Sequence, residues 1–296
     1  MTRLSDIQIR DPFVLCHDGV YHLYGSTDPD IWRAPGVGFD VYRGASPGDW
    51  TTFDGPYPAF RPPDGFWSQT NFWAPEVYPW DGGFVMFATF KPVDGRRGTA
   101  VLRAPSPLGP FLPWSDGPVT PREWECLDGT LFVDDAGPWM VFCHEWQQIG
   151  VGTICAVRLS PDLRTAVGEP ELLFGADEAP WAAPLPNRPP GSYVTDGPFL
   201  HRDAAGRLRL LWSSFGPDGR YRIGVATSSG DLLGPWTQAD QALYDDDAGH
   251  GMVFTTPDGR RFLAVHTPNT TPHERPIFVE IAETDDGLAT TGVVVR

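Results

Sequence analysis

Five short motifs that open on an ionisable residue punctuate this 296-residue chain: Asp11-Pro-Phe, Glu76-Val-Tyr, Asp128-Gly-Thr, Asp196-Gly-Pro and His250-Gly-Met. Carboxylates and imidazole are the side chains most used to give and take protons, and a cluster of carboxylates is costly unless it is solvated, partly protonated or engaged with a ligand. Brought together, these five would form a site able to work on one polar bond from two sides. They stand roughly 50 to 70 residues apart, so only a repeating architecture can make them meet.

Each motif heads the same module of alternating strand, Gly-containing turn and second strand. Examples are Asp11-Pro-Phe-Val-Leu-Cys-His-Asp-Gly-Val-Tyr-His-Leu-Tyr-Gly and Asp196-Gly-Pro-Phe-Leu-His-Arg-Asp-Ala-Ala-Gly-Arg-Leu-Arg-Leu-Leu-Trp. A third strand follows most copies and ends in turn chemistry such as Pro107-Leu-Gly-Pro or Ser160-Pro-Asp-Leu. With 33 Gly, 32 Pro and 13% aromatic residues the chain is rich in turns and in large side chains that fill spaces between sheets. The expectation is all-β: a single five-bladed β-propeller domain over residues 1–296. In a propeller the innermost strands run along the axis, so equivalent residues of every copy gather at one mouth. The Pro-rich stretch 182–191 falls between the third and fourth copies and reads as an inter-blade loop.

Residues Cys143-His144-Glu145-Trp146 add a sixth ionisable group. Folding the third hairpin about Ala136-Gly137 sets Glu145 opposite Asp128, where cross-strand neighbours lie about 5 Å apart. Like charges that close push one pKa upward, which suits a proton donor near neutral pH. Aromatic residues at loop ends, Trp67, Trp73, Trp124, Trp146 and Phe215, together with His144 and Glu76, are candidates for ligand contacts, since aromatic faces take apolar surfaces while the polar groups take hydrogen bonds.

A formal charge of −16 opposes polyphosphate, so nucleic acid is a poor partner. No run approaches ~18 apolar residues, and the amino terminus lacks the basic start and apolar stretch of a secretory signal; neither membrane nor export is expected, and the chain reads as cytoplasmic. Cys16, Cys126, Cys143 and Cys155 lack zinc-site spacing and sit mainly in apolar strand patterns, as buried free thiols do.

The segments Arg10-Asp11-Pro12-Phe13, Trp73-Ala74-Pro75-Glu76, Leu127-Asp128-Gly129-Thr130, Thr195-Asp196-Gly197-Pro198 and Gly249-His250-Gly251, in that order and one per module, resemble glycoside hydrolase family 43. That family consists of five-bladed propellers that act as inverting arabinofuranosidases, xylosidases and related enzymes. The resemblance implies that Asp11 is the general base, that Asp128 tunes and orients the acid, and that Trp73 and Glu76 shape the pocket wall. It implies no required cofactor, although His250 lies where such propellers often hold a hydrated Ca²⁺ or similar ion on the axis. It also implies an oligosaccharide or polysaccharide-derived substrate attacked from its non-reducing end, with α-L-arabinofuranosides first and β-D-xylosides second.

The chain departs from the family at one position. Where the family places Glu before Gly-Pro as general acid, this chain has Asp196, one methylene shorter. Two acid candidates therefore stand: Asp196 by position and Glu145 by reach. Retaining invertase-type propellers share Arg-Asp-Pro and Glu-Cys motifs, but in them a separate nucleophile motif precedes Arg-Asp-Pro, which here already opens the first module. An exo-acting galactosidase of the same fold, or a propeller that binds sugar without cleaving it, are the remaining alternatives.

Overall fold

In the computed structural model, which describes residues 1–284 and 287–296, five antiparallel sheets form a propeller ring of one domain. Blade one is built from Arg10–His17, Val20–Ser26, Phe39–Gly44 and Thr52–Phe60, with Thr2–Arg3 added at its outer edge. Blade two comprises Thr70–Trp80, Gly83–Lys91, Gly98–Ala104 and the short Leu112–Pro113. Cys126–Asp134, Gly137–His144, Thr153–Leu159 and Ala166–Gly175 make blade three. Blade four runs through Asp196–Arg202, Leu208–Phe215, Tyr221–Asp231 and Gly234–Gln238, and blade five through Gly249–Thr255, Arg261–Thr267, Arg275–Thr284 and Gly287–Val295. The expected three strands per module are thus joined by a fourth, outermost one.

The blades are packed face to face by the aromatic residues that the composition advertised. Phe39, Phe60, Phe72 and Phe90 form one stack between blades one and two, and Trp181 meets Trp212 at 4.6 Å between blades three and four. Cys126, Cys143 and Cys155 are buried as expected; Cys16 is not, since it points outward near the end of the first strand.

One backbone device recurs at the head of every innermost strand. Pairing skips two residues, at Asp11-Pro12, Ala74-Pro75, Asp128-Gly129, Gly197-Pro198 and His250-Gly251. The first residue of each pair has positive φ: 55° at Asp11, 47° at Ala74, 57° at Asp128, 50° at Gly197 and 50° at His250. For a non-glycine residue this conformation is uncommon and costs on the order of 1–3 kcal/mol. Such β-bulges turn a side chain out of the pleat and often stand beside active sites.

Hydrogen bonds to the preceding blade hold the bulges in place. The Ala74 amide donates to Ser26 Oγ at 2.9 Å, Asp128 to Thr89 Oγ1 at 2.9 Å, His250 to Ser213 Oγ at 2.8 Å, and Asp11 to His266 Nδ1 at 3.2 Å. Each acceptor occupies the same register position, opposite the residue just before its own bulge. In blade three that position is Cys143, paired with Leu127. A thiol is a weak acceptor, and the Gly197 amide donates instead to Asp128 Oδ2 at 3.0 Å.

The bulges correct the frame of two copies. The residue equivalent to Asp11 is Ala74 in blade two and Gly197 in blade four, so Glu76 is the first residue past its bulge and Asp196 the last residue before its own.

Candidate active site

At the mouth of the ring the inner-strand heads surround a cavity of about 500 Å³, lined by Asp11, Asp128, Asp196, Glu145 and His250 among others. Asp11, Asp128, Glu145 and His250 are 3–8% exposed. Of the expected wall residues, Trp73, Trp146 and Phe215 line the cavity. Glu76 and His144 are not part of that lining. Glu76, carried past the bulge, accepts a hydrogen bond from the Tyr78 hydroxyl, which also meets Thr130 Oγ1 at 2.9 Å. His144 is stacked on Trp124 at 4.2 Å and faces Gln148 Oε1. Trp67 likewise packs into the blade-two aromatic cluster rather than the cavity.

Asp11 sits beside the Arg10 guanidinium and two imidazoles. Its Oδ1 lies 3.3 Å from His250 Nδ1 and 3.7 Å from Arg10 Nε, and Ser26 Oγ donates to Oδ2 at 2.7 Å. Burial alone would raise its pKa, yet the charges of His250 and Arg10 and the Ser26 hydrogen bond outweigh it and hold the carboxyl below its ordinary value. His266 behind it is pushed down to about 3, mainly by burial and then by Arg10. It is therefore neutral, accepting the Asp11 amide at Nδ1 and meeting Asn269 Oδ1 at Nε2.

The other carboxyls of the cavity behave in the other sense. Asp128 is pushed up to about 8 by burial and by the charge on Asp11, against the pull of the Gly197 amide. Asp196 rises to about 7 through burial and the charge on Asp128, although the Tyr221 hydroxyl donates to its Oδ2 at 3.0 Å. Glu145 rises to about 8, burial prevailing over Arg97, whose Nη2 lies 2.9 Å from Oε2. Arg97 also engages Glu125 at 3.2 Å, so neutralising Glu145 leaves this buried guanidinium with a partner. One cavity thus holds one carboxyl drawn below its ordinary value and three pushed above theirs.

The hairpin argument for Glu145 needs correction. The turn is Asp135-Ala136, one position earlier than expected, and the Asp128-Gly129 bulge skips two residues in the pairing. Cys126 therefore pairs with His144, and the Glu145 amide donates to the Glu125 carbonyl at 2.8 Å. Glu145 reaches the cavity because the strand ends at His144 and the chain turns into the helical segment Trp146–Ile149.

His250 lies between the heads of two other blades, with Nδ1 3.3 Å from Asp11 Oδ1 and 3.6 Å from Asp128 Oδ2. Among the described residues no three His, Cys, Asp or Glu side chains are grouped to cage an ion. This donor set does not fit a directly bound metal.

Sequence reading missed Arg10, Arg97, Trp32, Tyr221 and Arg188, all of which line the cavity. Arg10, Trp73, Leu127 and Asp196 share the position just before the bulge; had the Asp-Pro, Ala-Pro, Asp-Gly, Gly-Pro and His-Gly pairs been aligned, that second tier would have been found.

The profile of the family described as glycosyl hydrolases family 43 matches residues 5–288. No curated protein matches the chain in sequence. Among solved structures, an endo-arabinase from Bacteroides thetaiotaomicron VPI-5482 is 39% identical with a TM-score of 0.88, over 97% of this chain and 99% of that one. A thermostable family-43 glycoside hydrolase is 25% identical, TM-score 0.78, over 98% and 94% of the two chains. An alpha-L-arabinofuranosidase from Lactobacillus brevis shares the fold at 20% identity and TM-score 0.77, over 97% and 94%.

Proposed function

The chain belongs to glycosyl hydrolase family 43, and from that membership we propose that it is an inverting hydrolase of plant-type pentosides, α-L-arabinofuranosides first and β-D-xylosides next. Asp11 is the general base: its carboxylate withdraws a proton from water as that water attacks the anomeric carbon. Asp196 is the general acid, giving its proton to the departing glycosidic oxygen. Asp128 is the neighbour that keeps the acid protonated and oriented. Trp73, Trp146 and Phe215 offer apolar faces to the sugar.

The observation that carries this reading is one cavity that gathers Asp11, Asp128, Asp196 and Glu145 from blades one, three and four, with only Asp11 set against both Arg10 and His250. Asp11 is held ionised by Arg10 and His250, while Asp196, Asp128 and Glu145 are pushed up to about 7 or 8. Single displacement at a sugar needs such a pair, with roughly 6.5–9.5 Å between the carboxyls to admit water. Sugar preference rests on similarity: the 39% identical structure carries the name endo-arabinase, and the arabinofuranosidase shares only the fold.

Glu145 is a second reading for the acid, favoured by its place in the wall, its longer arm and its raised pKa. Comparing D196A with E145A on a natural glycoside and on an aryl glycoside with an activated leaving group separates the two. The acid variant keeps far more activity on the activated substrate; if neither does, both assignments fail. A panel of aryl arabinofuranosides, xylosides and galactosides tests the sugar, and turnover of none of them, with sugar binding retained, points to a carbohydrate-binding propeller.

A further inference from the structure

A buried ion pair beside the base plays no part in the mechanism above. Glu274 stands in the loop between Arg261–Thr267 and Arg275–Thr284 of blade five, and its side chain is 1% exposed. Its Oε1 accepts from Arg10 Nη1 at 3.1 Å and from the Thr271 hydroxyl, whose oxygen in turn accepts from the Trp32 indole N–H at 2.9 Å. The Trp32 ring lies 5.1 Å from the Arg10 guanidinium. Arg275 steadies the loop, donating from Nη1 to the Pro272 and Glu274 carbonyls at 3.2 and 2.7 Å. Arg10 is thus gripped at Nη1 by Glu274 and covered by Trp32, with its Nε 3.7 Å from Asp11 Oδ1.

From this place Arg10 acts on both carboxyls of the reaction. Burial alone would lower its pKa, yet Asp11, Tyr221, Glu274 and Asp196 together raise it. The same guanidinium draws down Asp11, which also faces His250 and the neutral His266, and it opposes the rise of Asp196, which also faces Asp128, His250, Tyr221 and Glu145. A shift of the guanidinium toward Asp11 would tighten that pair and weaken the base, so its position matters to the rate.

For stability alone the Arg10–Glu274 pair is a poor choice. Buried ion pairs are often no better than apolar side chains of equal volume, and a buried oxygen without a partner adds a further cost. Glu274 Oε2 is such an oxygen. Nor does Glu274 line the cavity, so its route to the reaction runs through its neighbour.

We propose that Glu274 is a positioning residue of this reaction that acts through Arg10, fixing the guanidinium where one positive charge serves both Asp11 and Asp196. The proposal rests on the hydrolase reading and adds to it a residue from outside the cavity.

The test is steady-state kinetics against pH, on the aryl glycoside that the panel identifies, for the parent, E274Q, R10M and the double variant. With its anionic partner neutralised, the Arg10 charge falls undivided on Asp11 and Asp196 and lowers both pKa values, so the base is weaker and the acid ionises at lower pH. E274Q is expected to lose about 10-fold in kcat with KM little changed, and its alkaline limb to move down by about half a unit to one unit. In the R10M background E274Q is expected to cause no further loss, because its route is gone. E274Q with parental kcat and alkaline limb, even at a lower Tm, or an equal loss in both backgrounds, overturns the proposal and leaves the hydrolase reading standing. If E274Q does not fold, E274D, which keeps the charge but not the reach, takes its place in the cycle under the same criterion of non-additivity. No turnover of any aryl glycoside by the parent sinks the hydrolase reading and this proposal with it.

Discussion

The blade five to one joint and the blade three to four joint use the same bulged backbone to opposite electrostatic ends. At the first, the bulge amide of Asp11 is received by His266, which leaves the Asp11 carboxylate free to face Arg10, His250 and the Ser26 hydroxyl. At the second, Cys143 stands where the other blades have a hydroxyl or imidazole, and the Gly197 amide falls to Asp128. At Asp196 burial and the charge on Asp128 prevail over the pull of His250 and Arg10 and push the carboxyl up to about 7. Asp11 and Asp128 occupy equivalent bulge positions, yet their neighbours push the two carboxyls in opposite directions.

Breaking the base side has the largest expected effect. D11N should lower kcat by on the order of 10²–10⁴-fold on natural and activated substrates alike, the range for loss of a general base; steady-state kinetics on both substrates checks it. A loss confined to natural substrates would move Asp11 to the acid role.

The acid side is read from the pH profile. With Asp11 held low and the acid near 7 to 8, activity should fall as pH rises through about 7 to 8. In Y221F the hydroxyl that favours ionised Asp196 is gone, so its pKa rises and the alkaline limb should move upward by up to about one unit, the equivalent of one hydrogen bond. An unmoved limb transfers the acid role to Glu145.

The fold was readable because an acidic or histidine residue heads the same strand, Gly-containing turn and strand five times, and because the aromatic content matches packed blades. The frame was less readable. Reading acidic residues as the anchors put Glu76 in place of Ala74 and Asp196 in place of Gly197, although the repeat is a backbone bulge and not a charge. Glu145 was found for an incorrect reason, since equal counting from a turn fails once a bulge removes pairings. Arg97, Trp32 and Arg188 left no local trace; they reach the cavity from loops whose course is set by tertiary packing.

A smaller effect concerns Glu76, buried in the same ring but outside the cavity. Its pKa is pushed up to about 8, chiefly by burial, so its contribution to stability is full below the unfolded value of about 4.5 and is lost as pH rises through about 8. E76Q, which stays neutral, should lose less Tm between pH 6 and 9 than the parent, measured by differential scanning fluorimetry; equal losses would contradict a protonated Glu76. Smallest of all, C143S supplies the hydroxyl that the other blades have. It should draw the Gly197 amide from Asp128 and alter kcat a few-fold with little change in Tm, and an unaltered pH profile and rate would show that the exchange does not occur.

The central claim is that water attacks from the Asp11 side while a proton arrives from the opposite wall in a single displacement. Proton NMR of the first product formed from an aryl α-L-arabinofuranoside, or from whichever aryl glycoside is turned over, tests it most directly. The account predicts that the newly released sugar appears first as the inverted anomer and only later mutarotates. Release of the retained anomer would contradict it.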